Sequence, residues 1–332
     1  MYEHLVVPPR LPCVRDLAGR TLYSHVAGQI QEMVLAGPLG EETVLPPEVE
    51  LAARLGTSRG TVRRAIGDLE REGLVWRRAG SGTFVNPAAR LRRVVWNRLK
   101  EVALPDARFH YDFNEFIPDF LGSDRCVEAI GLLPEYRAAT TIFIAPDNSL
   151  EALRRRALDD GKRLLVWTYG LRRGVLRIDG HEVSTEDRRL AATLDGMERF
   201  GHLLDYAELS SIGAIDLVVT GAAAVSREGV HFGKGHGYFD LEWGLLAELG
   251  VVGQLTPVVA VVHDCQVVDE SVPHAPSDAT VDVIVTPSAV LRCGPLPKPT
   301  GLIWDRVPRH LARDTPYFTE MWGERTRGRG AA

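Results

Sequence analysis

Two short apolar-faced helices meeting at Gly56-Thr57 constrain this chain more than any other feature. Residues 47–55 read as a helix burying Leu51, Ala52 and Leu55. Gly56-Thr57 then forces a tight turn, and Ser58 suits the N-cap of a following helix. Val62, Ala65, Ile66 and Leu69 face inward along that helix, and Gly73 is placed to stop it. An earlier helix carries Leu22, Val26, Ile30 and Val34 at four-residue spacing and ends at Gly37. After the helices come two strand-like runs, 74–78 and 83–85, around Ala79-Gly80-Ser81-Gly82. Two glycines there permit a tight hairpin that can approach a phosphate backbone closely. Helix, turn, helix and hairpin make a winged helix-turn-helix, an α+β module. The exposed positions near the start of its second helix are small or basic: Ser58, Arg59, Gly60, Thr61, Arg63 and Arg64. A helix of that kind enters a major groove by its N-terminal end.

Charge agrees with this reading once it is localised. The chain of 332 residues has a net charge of −5, but residues 54–100 carry twelve Lys or Arg against Asp68, Glu70 and Glu72. That stretch is +9, so the remainder is −14. A local basic face docks on phosphates while the acidic remainder limits binding elsewhere. No apolar run approaches the roughly 18 residues of a membrane span, and Met1 to Arg10 lack a signal-peptide layout. Cys13, Cys126, Cys265 and Cys293 lie far apart with no CxxC pair, so neither zinc nor a disulfide framework is expected. The expected location is the cytoplasm.

The blocks Leu45-Pro46-Pro47-Glu48-Val49-Glu50-Leu51-Ala52, Gly56-Thr57-Ser58-Arg59-Gly60-Thr61-Val62-Arg63-Arg64-Ala65 and Gly80-Ser81-Gly82-Thr83-Phe84-Val85 resemble the GntR family, in order and correctly spaced. The resemblance implies that Arg59, Thr61 and Arg63 contact DNA in the major groove and that Gly82 tips the wing, with Gly80 beside it. Val49 stands where that family commonly carries an arginine, which puts the family's usual operator preference in doubt.

Residues 86–105 are arginine-rich. Val94, Val95 and Leu99 support one or two helical turns in what reads as a connector. Beyond it the pattern alternates. Apolar, β-rich runs at 141–145, 163–168, 214–220, 257–262 and 281–286 are separated by helical stretches, one of them carrying Leu150, Leu153, Ala157 and Leu158 before Gly161. Buried runs separated by helices predict a largely parallel sheet in a three-layer α/β domain. Gly233-Lys234-Gly235-His236-Gly237-Tyr238 follows one predicted strand and precedes a helix with Leu241, Leu245, Leu246 and Leu249. Alternate glycines let backbone amides converge on an anion at a helix start, with Lys234 as a mobile charge. The spacing matches neither a Walker A loop nor the dinucleotide GxGxxG pattern. Asp240, Glu242, Asp264 and Asp282 are acids near strand ends, and His236 and His263 are candidate acid-base groups.

The ordered blocks 233–246, 262–269 with Pro273, and 281–287 resemble the 5-formyltetrahydrofolate cyclo-ligase family, in its divergent methenyltetrahydrofolate synthetase domain-containing branch. Ile117-Pro118-Asp119-Phe120, Arg156-Ala157-Leu158 with Gly161-Lys162, and 299–305 extend the resemblance over residues 110–322. It implies a fold related to the sugar-isomerase and CoA-transferase group with a cleft for ATP, Mg²⁺ and a folate-like substrate. By carry-over, Gly233, Lys234, Gly235, Gly237 and Tyr238 surround phosphates, and Asp240 and Asp282 are the acids nearest a metal. His231 replaces an arginine ahead of the loop, Ser277-Asp278 replaces a His-Asp pair, and the basic N-terminal helix of the authentic enzymes is not recognisable. Lost charges in a phosphoryl-transfer site reduce transition-state stabilisation more than ground-state binding. No catalytic residue is assigned.

The expected organisation is a winged helix at 18–86, a basic linker at 87–108 and a cyclo-ligase-like domain at 109–324. The expected function is a homodimeric transcriptional regulator of duplex DNA whose larger domain senses a nucleotide, folate or phosphorylated metabolite. The alternative is an ATP-dependent cyclo-ligase carrying a DNA-binding head.

Overall fold

The computed structural model describes residues 22–36, 44–71, 74–78, 81–86, 88–104, 117–168, 171, 173–232, 238–269, 274–304, 307 and 315–329. The described residues divide between Arg98 and Leu99 into two compact units.

The first unit contains helices α1 (Leu22–Ala36), α2 (Glu48–Arg54) and α3 (Arg59–Arg71), then strands β1 (Val75–Arg78) and β2 (Gly82–Val85). Val26, Ile30 and Val34 of α1 close a small core with Leu51 of α2 and Val62, Ala65, Ile66 and Leu69 of α3. These are the residues whose spacing predicts the helices. The strands pair antiparallel from Val75 opposite Val85 to Arg78 opposite Gly82. Val44 bridges Phe84, and the Leu45 amide donates to the Thr83 carbonyl at 2.8 Å, so the loop before α2 extends this sheet.

Helix α4 (Ala88–Val102) corrects the expectation of one or two turns within the linker: it has 15 residues. Leu91, Val95 and Leu99 are all buried and recur at four-residue spacing, which makes one apolar stripe along about two turns of the helix. The unit boundary falls within this helix.

The second unit is built on an eight-stranded sheet. In chain order its strands are β3 (Thr141–Ile144), β4 (Arg163–Trp167), β5 (Val175–Asp179), β6 (His202–Leu203), β7 (Leu217–Gly221), β10 (Val258–Val261), β12 (Val283–Val285) and β13 (Val290–Arg292). A separate three-stranded sheet holds β8 (Ala224–Ser226), β9 (His231–Phe232) and β11 (Val267–Val268). The large sheet runs β13-β12-β10-β7-β3-β4-β5-β6. Its five central strands, β12 to β4, pair in parallel, and the outer three are antiparallel. Every residue of β3, β7, β10 and β12 is buried, so both faces are covered. The main helices between strands are α5 (Ser123–Leu132), α6 (Pro134–Ala138), α7 (Glu151–Asp159), α8 (Arg188–Ala191), α9 (Met197–Phe200), α10 (Tyr206–Ser210) and α11 (Tyr238–Glu248), and α12 (Pro316–Arg329) closes the chain.

Strand β3 comes first in the large sheet yet lies at its middle, so chain progression reverses between β3 and β7. Such reversals open a crevice at the carboxyl ends of the strands. Here the Gly221 amide, at the end of β7, donates to Asp147 Oδ2 just after β3, at 3.1 Å. Behind it lies Arg154, fully buried on α7. Its Nη1 donates to the Ala145 and Asp147 carbonyls at 2.7 and 3.0 Å, and its Nε to the Ala192 carbonyl at 2.8 Å. An Arg154→Met substitution keeps apolar volume but leaves those backbone carbonyls behind. A loss of about 3–5 kcal/mol in urea-unfolding stability is expected. An unchanged urea midpoint would show that the carbonyls find other donors.

Candidate nucleic-acid interface and ligand site

Ser58 caps α3 as expected: its Oγ accepts the Thr61 amide at 3.1 Å and lies 2.9 Å from the Thr61 hydroxyl. Arg59 and Arg63 stand one turn apart on the exposed face of this helix, with side chains 59% and 57% exposed. Both converge on Glu48 at the start of α2. Arg59 Nε donates to Glu48 Oε2 at 3.0 Å. Arg63 donates through Nε and Nη2 to the same oxygen at 3.2 and 3.1 Å, and through Nε to Oε1 at 3.3 Å. The Arg63 hydrogen bond, helped by Arg59, holds the Glu48 carboxyl below its usual range despite partial burial. Sequence reasoning missed Glu48. The signal was there, since an acid opens α2 while two arginines four residues apart open α3.

Arg64, also predicted to face DNA, places its guanidinium 4.4 Å from the ring centroid of Tyr23 on α1. It braces α1 against α3 by a cation–π contact. The hairpin is fastened to α3 by Arg77, whose Nη2 donates to the Arg63 carbonyl at 3.2 Å and whose amide donates to Glu70 at 3.1 Å. Trp76 stacks on Phe84 across the hairpin at 4.7 Å between centroids. Gly82 opens β2 with φ +120°, a conformation that favours glycine, and is exposed. Gly80 lies outside the described residues. Val49, beside Glu48, is 62% exposed.

Gly233, Lys234, Gly235, His236 and Gly237 lie outside the described residues, while Tyr238 opens α11 in the second unit. His231 on β9 is buried, and its Nδ1 donates to the Ala279 carbonyl at 2.8 Å. Burial pulls its pKa below the usual imidazole value. Asp240 in α11 accepts the Ala279 amide at 2.8 Å, and burial raises its carboxyl to about 7. Asp282 precedes β12. Its Oδ2 accepts the Val258 amide at 2.7 Å, and its Oδ1 accepts from the buried Lys298 ammonium at 2.9 Å. It therefore joins the amino ends of β10 and β12, away from the carboxyl-end crevice.

Asp240 and Asp282 thus have separate structural partners, and among the described residues no three His, Cys, Asp or Glu side chains group as a metal site. This arrangement does not fit a Mg²⁺ held by that pair of acids. Asp264 and His263 do follow the carboxyl end of β10. Asp264 accepts from the Ser288 hydroxyl, and His263 meets Phe120 edge-on at 5.7 Å. Glu242 is buried in α11. Among the described residues no helix is long and apolar enough to cross a membrane.

Residues 22–85 match the bacterial regulatory proteins of the gntR family, and residues 91–287, more than half the chain, match the 5-formyltetrahydrofolate cyclo-ligase family. A methenyltetrahydrofolate synthase domain-containing protein of Bos taurus is 38% identical over 237 residues, 70% of this chain and 60% of that protein. The chain thus spans about three fifths of the length of such curated relatives. The HTH-type transcriptional repressor NagR of Bacillus subtilis is 40% identical over 65 residues, 20% of this chain and 27% of the repressor. The 5,10-methenyltetrahydrofolate synthetase structure from Aquifex aeolicus aligns with 61% of this chain and 90% of its own, at 21% identity and a TM-score of 0.39. The chain belongs to the 5-formyltetrahydrofolate cyclo-ligase family and carries a gntR-family helix-turn-helix segment before that domain.

Proposed function

We propose that this protein is a cytoplasmic transcriptional regulator in which residues 18–86 bind a duplex DNA operator. The cyclo-ligase-like domain, 109–324, acts as the ligand-sensing and dimerisation part. The exposed pair Arg59–Arg63 carries this reading: two guanidiniums project from the first two turns of a capped helix in a gntR-type segment. Helix-turn-helix readers act as dimers on paired half-sites, and a ligand that favours one placement of the two heads changes operator affinity, with reciprocal coupling. The effector class is a nucleotide, a folate or another phosphorylated metabolite.

The enzymatic alternative draws on the family membership itself. His231 counts against it. A buried imidazole held neutral cannot supply the fixed cation that the resemblance places ahead of the glycine loop. The full chain, given ATP, Mg²⁺ and 5-formyltetrahydrofolate, is expected to melt at a higher temperature without forming methenyl product. Turnover at enzyme-like rates would establish the alternative. A melting temperature unmoved by any nucleotide or folate would remove the ligand-sensing role.

A further inference from the structure

We infer that Glu48 is a specificity-setting residue of the DNA-reading face: it positions Arg59 and Arg63 and lowers the face's affinity for DNA of arbitrary sequence. The inference rests on the proposed DNA-binding function. Its basis is the bond pattern. One carboxylate receives Nε of Arg59 and both Nε and Nη2 of Arg63, joining residues 11 and 15 positions away in the chain. Glu48 itself is largely covered, with a side chain 21% exposed, while the arginines are more than half exposed. The anchor lies inward and the cations lie outward.

Two consequences follow from the chemistry. An arginine side chain is flexible and loses rotamer freedom when it binds a base or phosphate. Holding its Nε edge on a carboxylate removes much of that freedom beforehand and fixes the plane of the fork. Arg59 gives Glu48 only its Nε–H, so both its Nη groups remain to meet an acceptor such as the O6 and N7 edge of guanine. The second consequence is electrostatic. Two guanidiniums and one carboxylate present a single net positive charge where two arginines alone would present two. Binding to arbitrary sequence is driven by phosphate neutralisation and counterion release, so it falls with each positive charge withdrawn. Glu48 therefore improves the fit to one sequence and weakens attraction to all others, and both effects raise the specificity ratio.

A merely structural carboxylate behaves differently. Its loss weakens binding to every sequence in parallel, through a distorted or partly unfolded head. The ratio of operator to scrambled affinity, together with the salt slope, separates the two roles. The full chain is first used to select an operator from random duplexes. Wild type, Glu48→Gln and Glu48→Asp are then compared on that operator and on a scrambled duplex across a range of salt.

For Glu48→Gln, operator affinity is expected to fall about 10- to 100-fold. Scrambled-duplex affinity is expected to rise a few-fold, with log K against log salt steeper by about one. Glu48→Asp keeps the charge but not the reach. It is expected to retain the wild-type slope while losing specificity ratio. Unchanged ratios in Glu48→Gln, or parallel losses on both duplexes, would overturn the inference. If wild type selects no preferred sequence at all, the DNA-reading function itself fails, a result distinct from an unchanged mutant ratio.

Discussion

Replacing Arg59 and Arg63 together by alanine is expected to abolish retention of the native upstream duplex at moderate salt. Each arginine in a base or phosphate contact contributes about 1–3 kcal/mol, so the pair accounts for roughly two to four powers of ten in affinity. The double substitution also releases Glu48, which turns a face of net charge +1 into one of −1. Repulsion of phosphate then adds to the lost contacts. Stability should change little, because both side chains are more than half exposed and exposed ion pairs contribute at most about 1 kcal/mol. Arg155→Ala is a control for loss of an exposed arginine elsewhere, since it removes one positive charge from an exposed i,i+4 pair with Asp159 on α7. Electrophoretic retention of the control should match wild type. Equal retention of the double variant would refute α3 as the reading helix.

Most of the first unit was legible because its signals are local. Gly56, Ser58 and the apolar positions of α3 all lie between positions 56 and 69 and specify a turn, a cap and a buried stripe. What escaped is tertiary. Glu48 meets its arginines only after α2 folds back on α3, and Arg64 meets Tyr23 from a different helix altogether. The length of helix α4 is hard to read from sequence because its arginines interrupt an apolar stripe that Leu91 completes.

In the second unit the five central parallel strands were readable as continuous apolar runs. Strands β5 and β6 and the small sheet were not. Val175–Asp179 alternates only partly, and β6, β9 and β11 have two residues each, too few to carry a period. The resemblance groups Asp240 with Asp282, but the strand ends distinguish Asp282 from the acid at the crevice. Asp282 precedes its strand and so stands at the sheet's amino end, whereas Asp264 follows β10 and stands at the carboxyl end. In a parallel sheet that distinction is available from sequence once the strands are assigned.

Asp240→Asn is expected to stabilise the second unit above neutral pH and to lose that advantage as pH falls toward 4. Asp240 and His231 hold the two ends of one residue: the carboxyl accepts the Ala279 amide and the imidazole donates to its carbonyl. Burial acts on them oppositely, raising Asp240 from 3.8 to about 7 and lowering His231 from 6.5. The nearby charge of Asp278 raises both, and that of Asp147 raises His231 further.

Between about pH 4 and 6.5 the unfolded pair is Asp⁻ with His⁺, while folded Asp240 is protonated and burial disfavours a proton on His231. The two contributions to the pH slope therefore have opposite signs and offset one another. Above 6.5 the unfolded pair carries none while folded Asp240 keeps its proton until about 7. Stability falls across that interval and then levels off, with a buried carboxylate costing on the order of a few kcal/mol. Asparagine removes that cost and still accepts the Ala279 amide. It also exposes the histidine's own dependence, a loss of stability as pH falls below 6.5.

Hydrogen exchange at the Ala279 amide reads this locally, with variant and wild type compared at each pH so that intrinsic rates cancel. The expected result is stronger protection in the variant at pH 8 and convergence with wild type near pH 4. Equal loss of protection at both would mean that the carboxyl is needed in its charged form. A group that stays protonated to about pH 7 must also surrender its proton before it can hold a cation, so the same measurement repeated with Mg²⁺ tests Asp240 as a metal ligand.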